Sequence, residues 1–283
     1  MGGKIIHIDG VDRTGKDTIK SALIKSSKGN YLVHVRSFIS QLVYAKIYNR
    51  RIDTQFFIKN AVDASKRGEI FIVLKASTDE LEKRFEKTNE QDLPVSDIDK
   101  HKKVFNIVIE QLRKKGVKIY EVNSDKDVKV ILREIEAIIL EREINKCKMC
   151  SLAKFGKNTL NIKNDKVKYL FVTRKANDAK ELQQFLEKTE INDYQISSLI
   201  KCNAPYDVND TQYSICADNL KNEIKFYKPK FVIVTGNDTY KQFKRNVKFP
   251  AQNLFKISSP FTVTIYNTKT EQEYINEIKN IIK

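Results

Sequence analysis

Short apolar runs alternate with amphipathic stretches along the whole chain. The runs KIIHID (4–9), YLVHV (31–35), EIFIVLK (69–75) and VKIYEV (117–122) are short and rich in β-branched residues, and they read as strands. Between them, apolar positions recur three and four residues apart and predict helices over 16–26, 38–48, 53–66, 78–87 and 97–115. Gly116 ends the last of these. A long helix follows over about 126–145, carrying Val128, Val130, Ile131, Ile135, Ile138, Ile139 and Leu140. A second cycle begins after Cys147, with strands at 167–173, 194–200, 230–235 and near 262–266, and helices at 177–189, 213–227, 237–245 and 270–282. Apolar runs separated by helices mark parallel sheets covered on both faces. The expected fold class is α/β, as two three-layer α/β domains, 1–143 and 144–283. The boundary falls where one cycle ends and a cysteine motif begins.

Composition narrows the classes. Hydrophobic residues are 41% and charged residues 31% of 283, which excludes a disordered or fibrous chain. No apolar run reaches the roughly 18 residues of a membrane helix, and Met1-Gly2-Gly3-Lys4-Ile5-Ile6-His7 lacks a signal peptide's apolar core. Four cysteines are too few for a disulfide scaffold. These features predict a cytoplasmic protein in a reducing compartment, with no membrane partner. Lys and Arg number 52 against 36 Asp and Glu, a net charge of +16. The excess points to a polyanion partner: DNA, RNA or nucleotides. A lysine-rich chain from an AT-rich genome would show the same excess.

Gly10-Val11-Asp12-Arg13-Thr14-Gly15-Lys16-Asp17-Thr18 fits G-x-x-x-x-G-K between a strand and a helix. Gly10 and Gly15 let backbone N–H groups turn inward around phosphate, the helix N-terminus adds partial positive charge, and Lys16 reaches the outer phosphates. The hydroxyl that usually follows the lysine to hold magnesium is here Asp17, with Thr18 next. Asp12 is a further group for magnesium or a substrate hydroxyl, or else a carboxylate that stabilises the loop. The ligands implied are ATP and magnesium. The competing reading is a tight Gly-rich turn with an exposed lysine. His7, His34 and His101 are far apart in sequence, and His7 and His34, in predicted strands, read as packed core or strand-end residues.

This stretch resembles the thymidylate kinases and phage deoxynucleoside monophosphate kinases. IDGVDRTGKDT is similar to their I-x-G-x-D-x-[ST]-G-K-[ST]-T, and Val35-Arg36-Ser37-Phe38-Ile39-Ser40, continuing to Val43-Tyr44, is similar to their D-R-[SY]-x-x-S. Phe71 to Ser77 followed by Leu81-Glu82-Lys83-Arg84 resembles their later strand and lid approach. The resemblance covers about 1–140. It implies a P-loop kinase fold with Lys16 on the phosphates, Thr18 or Asp17 on magnesium and Arg36 on the acceptor. The chain departs from the family in three ways. The acidic residue before Arg36 is Val35, the stretch between the first helix and that segment is much shorter, and the lost stretch normally builds part of the acceptor pocket.

Every cysteine lies in the second cycle: Cys147 and Cys150 form C-x2-C after a helix, Cys202 ends a strand, and Cys216 sits in the next helix. In a reducing cell such a set suggests zinc or an iron–sulfur cluster, the alternative being four unrelated buried thiols. Cys147-Lys148-Met149-Cys150-Ser151-Leu152 resembles the C-x-x-C-x-L of the iron–sulfur uracil-DNA glycosylases. Leu199-Ile200-Lys201-Cys202-Asn203-Ala204-Pro205 is similar to their V-V-K-C-R-P-P, Cys216 falls where their fourth cysteine lies, and 228–236 is similar to their K-P-x-x-I-V-x-L-G strand. The resemblance covers about 145–283. It implies a structural [4Fe–4S] cluster on the four cysteines, with zinc as the alternative.

The glycosylase chemistry has not been kept. The family's G-E-A-P-G is here Thr173-Arg174-Lys175-Ala176-Asn177, the base-reading Asn aligns with Ser198, and the late H-P-S aligns with Tyr266-Asn267-Thr268. The segment with the base-stacking aromatic is missing between Asn177 and Tyr194. Arg174, Lys175 and Lys201 are candidate phosphate contacts, and Tyr206 and Tyr213 are candidates to stack on bases or to pack the loop. The sequence therefore predicts a viral-type, two-domain nucleic-acid-binding protein of the host cytoplasm. It would be a pseudoenzyme within a replication, transcription or DNA-modification assembly, with further protein partners. The alternative is a kinase acting on a deoxynucleotide or a modified base in DNA. An active uracil-DNA glycosylase is the least expected.

Overall fold

A computed structural model describes residues 4–87, 97–156, 167–204 and 207–282. The chain divides into two compact units, Met1–Glu136 and Ala137–Lys283. The sequence placed the division at 143/144, where the cysteine motif begins; the compact units instead part inside a helix.

In unit 1 the order is β1 (Lys4–Gly10), α1 (Lys16–Ser26), β2 (Tyr31–Val35), α2 (Phe38–Ile47), α3 (Thr54–Arg67), β3 (Ile70–Lys75), α4 (Thr78–Glu86), α5 (Ile98–Lys114), β4 (Ile119–Asn123) and the start of α6 (Val128–Lys146). The four strands form a parallel sheet in the order β2-β1-β3-β4. The chain leaves β1 towards β2 and later returns past it to β3. The carboxyl ends of β1 and β3 are therefore a topological switch point, where open α/β sheets bind ligands. One face of the sheet packs Phe71 and Val73 against Ile39 and Val43 of α2, Ala61 and Ala64 of α3, and Val108 and Leu112 of α5.

A buried carboxylate fixes the end of β1. Asp9 is fully buried. Its Oδ1 accepts from the Ser37 N–H (2.8 Å), the Ser40 N–H (3.1 Å) and the Ser40 hydroxyl (2.7 Å), and its Oδ2 accepts from the Ser37 hydroxyl (2.5 Å). Ser37 is also the N-cap of α2. The first N–H groups of a helix have no intrahelical partner and favour negative charge. Asp9 supplies both, and so ties β1 to α2.

In unit 2 the order is β5 (Tyr169–Lys175), α7 (Ala179–Leu186), β6 (Tyr194–Ile200), α8 (Asp210–Tyr227), β7 (Phe231–Thr235), α9 (Asn237–Asn246), β8 (Leu254–Ile257), α10 (Phe261–Thr264) and α11 (Glu271–Ile282). The sheet is again parallel, in the order β6-β5-β7-β8. Successive side chains of β5 point to opposite faces. Leu170 and Val172 join a core with Leu220 of α8 and Phe243 of α9, while Phe171 joins Leu182 and Phe185 of α7 and Tyr274 and Ile278 of α11. Both units are thus α/β, each built on a four-stranded parallel sheet. Among the described residues, no helix is long and apolar enough to cross a membrane.

One predicted strand is wrong. Residues 262–266 do not pair; 254–257 pair with β7, and 261–264 form a short helix after Pro260. Proline lacks the N–H a ladder needs, and its φ of −56° suits a helix start. Val263 packs on the core beside Tyr274 and Ile278, while Ile265 and Tyr266 are exposed. The other elements lie where the pattern puts them, to within a few residues at their ends.

Asp9→Ala strands the donors of Ser37 and Ser40. It should lower the unfolding free energy of the full chain's first unit by about 3–5 kcal/mol in urea denaturation. A loss below about 1 kcal/mol would show that the carboxylate does not anchor α2.

Candidate phosphate-binding cleft and thiol cluster

β1 ends at Gly10 with φ +146°, where a Cβ would stand 2.5 Å from the Leu74 carbonyl oxygen and 2.8 Å from Thr14 Oγ1. Only glycine permits that approach. Gly15, at φ +85°, is the N-cap of α1. Between them the Thr14 hydroxyl donates to the Val11 carbonyl at 2.8 Å and braces the loop. Lys16 is only 5% exposed, unlike the exposed lysine of a simple turn. Its Nζ donates to the carbonyls of Gly10 (2.9 Å) and Val11 (2.8 Å) and lies 3.7 Å from Asp12 Oδ1. Burial pushes its pKa down, and the Asp12 carboxylate opposes this.

The loop opens on a cleft of about 580 Å³, which also takes in Asp17, Thr18, Arg36, Arg84, Phe85, Lys87, Ser124, Lys126, Val128 and Ile131. Its lining holds six cations (Arg13, Lys16, Arg36, Arg84, Lys87, Lys126) against the carboxylates of Asp12 and Asp17. Phe85, Val128 and Ile131 add an apolar wall. A cavity of this size suits a nucleotide-sized ligand. All the candidate nucleotide-binding residues except Gly10, which forms the turn behind, line this one cleft.

Two features of the cleft were not foreseen. Arg84 donates to Glu80 Oε1 (2.7 Å), the Arg13 carbonyl (3.1 Å) and the Ser124 carbonyl (2.7 Å), so it joins the phosphate loop to the segment after β4. The local hint was Glu80 four residues before it on a helix. Asp12 accepts from Arg36 (3.3 Å) and from the Tyr44 hydroxyl (3.0 Å). Burial, with Asp12 beside it, pushes the Tyr44 phenol well up. Arg36 stands on the rim, its side chain 63% exposed, at φ +57°.

In unit 2 the four cysteines come together. Cys147 and Cys150 follow α6, Cys202 lies just past β6, and Cys216 is in α8; all four line one small cleft with Lys201 and Asn219. The Asn219 amide nitrogen is 4.0 Å from Cys147 Sγ and 3.9 Å from Cys216 Sγ, and the Lys201 N–H donates to Cys216 Sγ at 3.4 Å. Burial pushes the Cys216 thiol up, against the Lys201 N–H. Among the described residues, no three His, Cys, Asp or Glu side chains stand at metal-binding spacing. Four thiols on one cleft are nonetheless the donor set that zinc and iron–sulfur clusters take.

The expected nucleic-acid contacts are engaged within the fold. Lys201 is 2% exposed and its ammonium pairs with Glu223 at 2.8 Å, so it is a core ion-pair partner and not a surface cation. A sequence shows a lysine but not the carboxylate folded against it. Arg174 donates to the Tyr213 hydroxyl (2.8 Å) and to Asp207 (3.0 Å), and Lys175 donates to the Ala204 carbonyl (3.2 Å). Tyr213 is buried and packs the loop. Pro205 and Tyr206 lie outside the described residues. Sequence reading also missed Asp178, which accepts from the Lys175 N–H at 3.1 Å and whose pKa burial pushes up.

No family model and no curated protein matches the chain. A solved structure, the C-terminal domain of glucosamine-fructose-6-phosphate aminotransferase from Francisella tularensis, aligns over 99% of this chain and 84% of that one at 13% identity, with a TM-score of 0.23. A likeness that low carries no argument about fold or activity.

In metal-free, reduced protein, a maleimide should modify the half-buried Cys147 and Cys150 before the buried Cys202 and Cys216. Because burial raises the Cys216 pKa, its rate should keep climbing at pH above the usual thiol range. Peptide mass mapping at several pH values reads both, and four equal rates would contradict the burial.

Proposed function

We propose that unit 1 binds a nucleoside polyphosphate with magnesium, and that the protein works as a binding component of a nucleic-acid-processing assembly. The observation that carries this reading is the cationic cleft in front of Lys16. The ammonium rests on the loop's own carbonyls, which a phosphate oxygen can replace as partners. The loop's N–H groups and the start of α1 favour the same anion. Arg13, Arg36, Arg84, Lys87 and Lys126 surround the charge, and Phe85, Val128 and Ile131 offer the apolar wall a nucleoside needs. Thr18, Asp17 and Asp12 are the oxygen donors available to magnesium, which when bound neutralises phosphate charge.

For unit 2, the resemblance to iron–sulfur uracil-DNA glycosylases supports a [4Fe–4S] cluster on Cys147, Cys150, Cys202 and Cys216, with zinc as the alternative. Such a centre would join α6, the 3₁₀ turn at 151–155, the end of β6 and α8. The +16 charge supports a DNA or RNA partner. With Lys201 internal and Arg174 and Lys175 engaged, that contact rests on the surface charge as a whole. A kinase reading has one observation in its favour: Arg36, Asp12 and Thr18 open on the same cleft as Lys16. Against it stand Val35 in place of the family's acid, and Asp17 in place of the magnesium hydroxyl.

Titration calorimetry with magnesium and ATP should show binding by the full chain, weakened about 10–100-fold in Lys16→Ala, as expected for a charge-assisted contact. No binding by the wild type would overturn the reading. Transfer of the γ-phosphoryl label to deoxynucleotides or modified DNA, lost in Lys16→Ala, would replace the binding role with a kinase. Protein purified without oxygen should contain iron and acid-labile sulfide, about four of each per chain; one zinc and no sulfide would select the alternative metal.

A further inference from the structure

The core of unit 2 holds a charge pair that packing alone does not call for. The side chains of Lys201 and Glu223 are 3% and 5% exposed. Lys201 Nζ lies 2.8 and 2.9 Å from the two carboxylate oxygens of Glu223 and donates to Ser197 Oγ at 2.6 Å. The Ser197 hydroxyl in turn donates to Glu223. Taking two charges out of water is costly, and apolar residues of similar volume often stabilise a fold as well or better. The pair's position gives it a different use. Lys201 directly precedes Cys202, and its N–H bonds Cys216 Sγ. Glu223 lies on α8, two turns beyond Cys216. The pair therefore clamps the Cys202 segment to the helix that carries Cys216. Asn219, one turn beyond Cys216, brings its amide to 3.9 Å from that sulfur and 4.0 Å from Cys147 Sγ. Three of the four cysteines are thus tied together by groups that are not themselves ligands.

We propose that Asn219 and the Lys201–Glu223 pair are the positioning shell of the four-cysteine site. The clamp fixes two sulfurs by backbone register. The amide aims a donor at two sulfurs, and such a hydrogen bond strengthens when the acceptor is an ionised thiolate. The inference rests on reading the four cysteines as one metal site. Groups of this kind change metal affinity about 10–100-fold when removed.

The test uses the full chain, reduced, stripped of metal without oxygen, and titrated with cobalt(II) alone. Thiolate-to-cobalt charge-transfer absorption reports how many sulfurs bind, and competition with a chelator gives the affinity. The variants are Asn219→Leu, at a half-buried position, and the double change Lys201→Met with Glu223→Leu, which removes both charges together. The wild type should show four thiolates. Both variants should bind cobalt about 10–100-fold more weakly or with fewer thiolates, while the double variant unfolds thermally at or above the wild-type temperature. Wild-type affinity and spectrum in both variants would overturn the positioning role alone. Absence of charge transfer in the wild type would remove the four-cysteine reading, and this inference with it. If the double variant does not fold, Asn219→Leu decides: reduced affinity supports the shell and unchanged affinity overturns it.

Discussion

The carboxylate of Asp9 holds the back of the phosphate loop. It takes four hydrogen bonds from Ser37 and Ser40, and these fix where β1 stops and where α2 starts. Gly10 must then turn where no side chain fits against Leu74 and Thr14. Asp9 is consumed in that anchor, and Asp12 and Asp17 are the carboxylates on the cleft, Asp12 lying 3.7 Å from the Lys16 ammonium. Asp12 is drawn to Arg36 and Tyr44, which stand on either side of α2's start. Arg84 closes the arrangement from across the cleft by holding the Arg13 and Ser124 carbonyls. The loop is braced by residues behind and beside it, which leaves its front to a ligand.

The two units answer one topological constraint in different chemistry. In each, parallel pairing sends the chain one way from a central strand and later back past it. The strand ends at that switch are where backbone donors and helix starts gather. Unit 1 furnishes this end with a glycine turn and a lysine. Unit 2 instead uses its edge strand: Cys202 lies just past the end of β6 and Cys216 on the following helix, and Lys201 and Glu223 hold the two together. Both anchors are buried carboxylates, Asp9 facing hydroxyls and amides, Glu223 facing an ammonium and a hydroxyl.

Local chemistry was legible in the sequence and distant pairing was not. The runs 70–75 and 231–235 announce parallel strands because both their faces are buried, and the turn at 10–16 announces itself because glycine is required there. The strand at 254–257 was overlooked in favour of 262–266, since β-branched residues outweighed the local signal of Pro260. The unit boundary was placed late because α6 runs on through it as one continuous helix. Lys201 read as a surface cation because its partner is Glu223, in a later helix. Asp9 stands at the end of a predicted strand, and nothing local announces that Ser37 and Ser40 fold against it. Spacing alone pairs only Cys147 and Cys150; the family resemblance added Cys202 and Cys216, and all four line one cleft.

The account turns on whether the loop at 10–18 takes phosphate. Hydrogen–deuterium exchange on the full chain, with and without magnesium and ATP, tests this directly. Ligand contacts to loop amides should slow exchange across 11–18 and at the start of α1, and leave the strands of unit 2 unchanged. Equal exchange across 11–18 in both conditions, at ATP concentrations into the millimolar range, would contradict the phosphate-binding assignment on which the functional reading stands.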